Sequence, residues 1–164
     1  MAGLTPVPAL SLPGERRDLT VIGWMEKLCL PDLGLTRIKT KIDTGARTSA
    51  LHATGIVRFS RDGARWVRFT TDTGQGGPVT IEAPVHGLRR IKNTSGIPED
   101  RVVIRTRLQI AGRVWAMDLS LADRTNMTFP MIIGRAALKN HGFVVHTRRA
   151  FLVSQRLHPA QKGQ

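Results

Sequence analysis

Apolar and polar residues alternate with a period of two along most of this chain, which is the signature of half-buried strands. Thr20–Leu30 reads as a first strand region and ends at the turn signal Pro31-Asp32-Leu33-Gly34. Thr36–Ile42 sets Ile38 and Ile42 on one parity and Arg37, Lys39 and Lys41 on the other, then runs straight into Asp43-Thr44-Gly45. Ile56–Thr70 reads as a hairpin, with Val57 and Phe59 before the turn Arg61-Asp62-Gly63 and Trp66, Val67 and Phe69 after it. Val79–Val85 is a further strand candidate, followed by the polar, turn-rich stretch Lys92–Pro98. Arg101–Ile110 and Arg113–Leu121 form a second hairpin about Ala111-Gly112, with Arg105 and Arg107 alternating against Ile104 and Leu108. Phe129–Ile133 is an apolar strand opening into Gly134, and Arg135–Asn140 has room for about one and a half helical turns. Gly142–Val153 reads as a closing strand or hairpin. The expected class is mostly β: a closed, barrel-like sheet with one short helix after Gly134.

Length and composition narrow the picture without changing it. The 164 residues fit one domain, expected over 19–156, with tails at 1–18 and 157–164 that are rich in Pro, Gly and polar residues. No repeat of solenoid period is present, and 41% hydrophobic residues argue for a folded chain. The single cysteine, Cys29, can close no internal disulfide. The first residues carry no basic segment before an apolar run, and no apolar run approaches the ~18 residues of a membrane span, so the expected compartment is the cytoplasm, with no membrane partner. The net charge is +13, and 19 of the 25 basic residues are Arg. Guanidinium groups favour planar anions, so acidic peptides or RNA are reasonable partners, against the plainer reading of a solvated basic surface.

The chemistry concentrates at Asp43. A strand ending in Asp-Thr-Gly leaves a carboxylate at the strand end, with Gly permitting a tight turn and the hydroxyl able to lock the loop. The triplet alone is weak, because Asp72-Thr73-Gly74 repeats it ahead of Gln75-Gly76-Gly77, which reads as a plain hairpin loop. Only the first copy has a companion, Met131-Ile132-Ile133-Gly134-Arg135-Ala136-Ala137-Leu138. This pair resembles the retropepsins, single-domain aspartic proteases whose Asp-Thr-Gly-Ala loop is underpinned by an apolar-apolar-Gly-Arg segment. Ile22-Gly23-Trp24, Leu30–Gly34, Lys41–Ala53 and Phe129–Leu138 together are similar to a bacterial branch of that superfamily. That branch is labelled ATP-dependent zinc protease and is associated with ATP-grasp ligases that add glutamate to proteins. The resemblance covers about residues 20–153.

The resemblance implies an aspartic endopeptidase. Asp43 would be the catalytic carboxylate, with Thr44 bonding across a two-fold axis and Gly45 donating its amide. Such enzymes use two carboxylates sharing one proton, and this chain has one matched loop, so the second Asp43 would come from a second copy in a homodimer. Ala46, Arg47, Ile133 and Gly134 would adjoin the substrate, as would a covering flap at Asn93, Thr94, Ser95 and Gly96. Gly74–Pro78 is the alternative flap. The 91 positions between Asp43 and Gly134 exceed the viral spacing, so extra strands are expected in the 56–90 region. The substrate would be a peptide or protein, acidic or glutamate-modified, with Arg47, Arg89, Arg90, Arg101, Arg105 and Arg107 in or near the cleft.

The rest of the family label is not supported by the residues. Zinc sites need three or four clustered ligands, and His52, His86, His141, His146 and His158 are scattered. No phosphate-binding Gly-x-x-x-x-Gly-Lys loop occurs. No cofactor or metal is therefore expected. His52, nine residues after Asp43, reads as a locally hydrogen-bonded residue or, less simply, a ligand or substrate contact. The tryptophans sit among apolar neighbours and read as packing rather than base-stacking residues, which leaves nucleic acid an open partner. The competing function is an inactive protein- or RNA-binding module of the same fold.

Overall fold

The structure is a computed structural model that describes residues 19–92 and 95–154. Asn93 and Thr94 of the expected flap, both expected tails and the last two positions of the expected domain lie outside the described residues.

The strands run in the order β1 (Thr20–Gly23), β2 (Met25–Leu30), β3 (Leu35–Ile42), β4 (Ser49–His52), β5 (Thr54–Arg61), β6 (Ala64–Thr71), β7 (Val79–Pro84), β8 (Gly87–Lys92), β9 (Pro98–Ile110), β10 (Arg113–Ala122), β11 (Met131–Ile133) and β12 (Phe143–His146). A 3-10 turn covers Pro31–Leu33, and the helix α1 is the single turn Arg135–Leu138. The main sheet is ordered β10-β4-β11-β3-β2-β9-β8, and the additional β9–β10 pairing closes six of these strands into a barrel. Closure leaves few free strand edges. The alternation anticipated from the sequence sets the inward face: Ile38, Ile104, Leu108, Leu119 and Leu121 are buried, while Arg105 and Arg107 point outward. β5, β6 and β7 form a separate three-stranded sheet, the insertion expected between 56 and 90. It docks through the fully buried Val67 and Phe69 of β6.

The first strand region is in fact two strands. Backbone at Arg149 and Ala150 packs so tightly on Gly23 that a Cβ there would meet it at 2.8 Å, and Trp24 N donates to Arg149 O at 3.1 Å. The chain turns at this point, so β1 pairs in parallel with β12 while β2 enters the barrel. The expected closing strand over 142–153 shrinks to β12, because its last residues serve another purpose. Glu26, fully buried, accepts hydrogen bonds from the amides of Gly23, Leu152 and Val153 through Oε1, and from the amide and hydroxyl of Ser154 through Oε2. A buried carboxylate is tolerable when its lone pairs are filled in this way. Here it ties the end of the described chain to β2.

The tryptophans pack at the margins of the core rather than inside it. Trp24, Trp66 and Trp115 are all partly exposed. Trp115 donates from Nε1 to Ala137 O at 2.9 Å and stacks on His141 at 4.0 Å, while Arg61 lies 4.4 Å over Trp66. Cys29 is a free, partly buried thiol. Among the described residues no helix is long and apolar enough to cross a membrane.

Candidate active site

β3 delivers Asp43 to the end of the barrel, and β11 runs in parallel beside it, with Ile133 level with Ile42. That register makes Asp43 N donate to Ile133 O at 2.8 Å. The loop then closes on itself: Gly45 N donates to Asp43 Oδ1 at 3.1 Å and Ala46 N to Asp43 O at 3.1 Å. A Cβ on Gly45 would sit 3.3 Å from Asp43 Oδ1, so a side chain there would crowd the carboxylate. Asp43 is partly exposed, and Thr44 and Gly45 are exposed.

The Gly134-Arg135 segment underpins this loop. Gly134 has extended φ, so its need for glycine is spatial: a Cβ would lie 2.6 Å from Thr48 O and 2.7 Å from Arg47 C. With no side chain in the way, Arg135 N donates to Ala46 O at 2.8 Å and Ala136 N to Arg47 O at 3.0 Å. The Arg135 guanidinium reaches over to Thr44 O at 2.9 Å. Ser49 completes the clamp. Its buried Oγ accepts from Gly134 N at 3.1 Å, and its carbonyl accepts from Ser120 Oγ at 2.9 Å. Neither Ser49 nor Arg135 was singled out from the sequence. Serine beside an Asp-Thr-Gly loop carries no distinctive pattern, whereas Arg135 lay in a quoted motif whose long-range bond could not be read locally.

The structure thus brings Asp43, Thr44, Gly45, Ala46, Arg47, Ile133 and Gly134 together. Ile133 is fully buried and Gly134 packs under Thr48, so both lie beneath the loop. Thr44 and Arg47 border an open groove of about 600 Å³ with Arg135, Leu138 and Phe143. Ser95 and Gly96 sit exposed at the tip of the β8–β9 hairpin, whose arms pair from Gly87 opposite Val103 to Lys92 opposite Pro98. The alternative flap, Gly74–Pro78, is the connection between β6 and β7.

Four of the six arginines expected at the cleft are engaged in ion pairs. Arg101 pairs with Glu99 at 2.7 Å and Arg105 with Asp118 at 2.9 Å, and Arg89 lies 3.8 Å from the same Asp118. Arg107 grips Asp32 of the 3-10 turn through Nε and Nη2, which holds the Asp32 carboxyl below the usual range. A different arginine feels the charge of Asp43. Arg124 follows β10 and is partly buried. Burial first, and Arg101 second, push its guanidinium below its ordinary value, while Asp43 pulls the other way. Both neighbours are therefore within its electrostatic reach.

His52 is locally bonded. Its Nδ1 accepts from Arg124 N at 2.9 Å, and Asp123 Oδ1 lies 3.9 Å away. The Asp123 carboxyl is held below its ordinary range first by the Thr125 hydroxyl, with the Thr125 amide and His52 adding to it. Among the described residues, no three His, Cys, Asp or Glu side chains gather into a metal-binding group.

Comparison with known proteins agrees with this geometry. The family model RimB-like, described as retropepsin-like aspartic endopeptidase RimB, matches residues 21–155. A protein of Parasynechococcus marenigrum named "Probable alpha-L-glutamate ligase" is 42% identical over 121 residues, which is 72% of this chain and 26% of that protein. One of the same name from Shewanella pealeana is 38% identical over 127 residues, 76% of this chain and 28% of that protein. The chain spans about a quarter of the length of these relatives. It is also similar to the crystal structure of a Legionella pneumophila protein of unknown function (DUF785), with a TM-score of 0.69 and 28% identity, covering 81% of this chain and 97% of that one.

Proposed function

We propose a function from one premise: the chain belongs to the RimB-like family of retropepsin-like aspartic endopeptidases. On that premise it is an endopeptidase whose active form is a homodimer, with one Asp43 from each copy. Two carboxylates brought to a two-fold axis cannot both ionise, so they share one proton. The ionised member takes a proton from water as the water oxygen attacks the scissile carbonyl. The protonated member gives its proton to the carbonyl oxygen. Collapse of the tetrahedral species then breaks the C–N bond: the leaving amine takes the proton from the protonated carboxyl, and one hydroxyl of the gem-diol returns its proton to the ionised one, so the dyad again holds one proton.

The observation that carries this reading is the way the Asp43 loop is held. Ile133 O, Gly134 and Arg135 clamp it from below, while Thr44 and Gly45 remain exposed where a second copy would meet them. The substrate is an acidic or glutamate-bearing protein. Two points support that: the +13 charge, and relatives that carry this domain within chains named as glutamate ligases. Ligase and peptidase would then act on the same modified product. The mechanism as drawn uses only the two Asp43 carboxyls, a water and the peptide.

The test is a peptide-library digest with wild type and Asp43→Asn side by side, with and without a chelator. Cleavage should survive chelation, vanish in Asp43→Asn, and fall per subunit on dilution below the dimer dissociation constant. Loss on chelation with recovery on added zinc would overturn the dyad, and full activity from a strict monomer would overturn the shared site. Binding without any cleavage would favour the inactive binding module.

A further inference from the structure

We propose that Arg124 is the specificity-determining residue of this site, its guanidinium receiving a side-chain carboxylate of the substrate beside the scissile bond. The inference rests on the peptidase reading above and adds to it the group that would read acidic substrates.

Arg124 lies two residues beyond the end of β10, where the β10–β4 register sets Ala122 opposite His52. It is fixed at both ends. Its amide donates to His52 Nδ1 at 2.9 Å, and its Nε donates to Phe129 O at 3.0 Å. Phe129 leads through Pro130, whose carbonyl accepts from His52 N at 2.7 Å, into β11 beneath Asp43. The side chain is therefore braced by the segment that supports the catalytic loop, so little conformational entropy remains to be lost on binding.

Its charge has no carboxylate partner among the described residues. Arg61, Arg101, Arg105 and Arg107 each hold a carboxylate, whereas Arg124 forms no ion pair among the described residues. A partly buried guanidinium without a partner is costly, and such groups occur where a ligand completes them. Asp43 is within its electrostatic field, yet no hydrogen bond joins the two. The bracing through Phe129 and Pro130 ties Arg124 to the strand that runs in parallel beside β3 and carries Asp43 N on Ile133 O. With Nε committed to Phe129 O, the two Nη groups remain as the fork that matches a carboxylate. Arg124 borders an open hollow of about 390 Å³ with Lys39, His52, Asp72, Thr128 and Pro130. Lys39 adds a second positive charge there, and one oxygen of Asp72 is taken by Gly74 N at 2.9 Å. The chemistry that fits is a glutamate or aspartate side chain of a peptide.

The experiment measures binding, so it reads out whether or not the chain cleaves anything. A fluorescein-labelled hexaglutamate peptide and its hexaglutamine isostere are titrated by anisotropy against the full chain carrying Asp43→Asn, alone and with Arg124→Gln or Arg124→Lys added. Without an Arg124 change, the Kd ratio should favour glutamate by roughly ten- to hundredfold at low salt. Arg124→Gln should bring the ratio below about threefold, and Arg124→Lys, which keeps the charge but loses the fork, should leave an intermediate ratio. Arg58→Gln, a change at an exposed arginine of β5 in the separate sheet, should alter the ratio far less. An unchanged ratio in Arg124→Gln, a parallel loss of both peptides, or no glutamate preference before any Arg124 change would each overturn the proposal. Failure of the peptidase reading shows separately, as wild type that binds hexaglutamate with the stated preference but cleaves no peptide.

Discussion

Asp43-Thr44-Gly45 and Asp72-Thr73-Gly74 are the same three residues, and they share one local hydrogen bond. In each the Gly amide donates to the Asp Oδ1, at 3.1 Å in the first and 2.9 Å in the second. What separates them is the glycine, left-handed at Gly74 but not at Gly45, and everything beyond the triplet. The first loop is gripped by Ile133 O, by the Arg135 and Ala136 amides and by the Arg135 guanidinium, all from a segment some ninety positions downstream. The second opens the β6–β7 connection, where Gly74, Gly76 and Gly77 take φ of +78°, +81° and +87° and a Cβ added at any of them would meet no neighbouring atom within 4 Å. A carboxylate is held ready for chemistry only if its backbone cannot drift, and a local turn does not supply that rigidity.

The sharpest break in the comparison is chemical. Asp43→Asn should lower cleavage on the order of a thousandfold or more, while Asp72→Asn should stay within about twofold, as read by kcat/KM on one peptide from the library digest. Similar losses in both would mean that the second loop also takes part in the reaction.

The glycines give the next largest contrast, in thermal unfolding. A Cβ at position 134 has no room against the Arg47–Thr48 backbone. Gly134→Ala should cost about 1–3 kcal/mol or more, a drop in Tm of roughly 3–10 °C, and should take activity with it. Gly74→Ala meets open space and carries only the left-handed φ penalty, about 1 kcal/mol and roughly 2–4 °C. Equal shifts would remove the distinction between close packing and backbone conformation.

The smallest contrast concerns hydroxyls. Ser49→Ala strips the acceptor from the buried Gly134 amide and should cost about 1–3 kcal/mol by denaturant unfolding. Thr73→Ala, in the unclamped loop, should change stability by less than about 0.5 kcal/mol. A neutral Ser49→Ala would show that the clamp holds without this bond.

Much of the fold was legible because burial in a barrel imposes a period of two. The hairpins about Asp62-Gly63 and Ala111-Gly112 and the parity of β3 follow from that period. β4 and β8 were missed for a related reason. Ser49-Ala50-Leu51-His52 is short and mixed, and it becomes a strand because β10 and β11 flank it. β8 alternates only between partly and fully exposed residues, so it lacks an apolar face to announce it. Glu26 looked like any charged residue in a strand, since nothing nearby in sequence reveals that amides from Leu152 to Ser154 will converge on it.

The candidate site divides along the same line. By itself the sequence told the two Asp-Thr-Gly copies apart, because only Asp43 has a partner segment at Ile133-Gly134-Arg135 that can be recognised as a motif. It did not determine which arginines are committed elsewhere. Ion pairing depends on which strands lie side by side, and only the closed barrel sets Arg105 against Asp118, Arg107 against Asp32, and Arg124 within the field of Asp43 with no ion pair among the described residues. Strand pattern is a property of neighbours along the chain, whereas charge neutralisation is a property of neighbours in space.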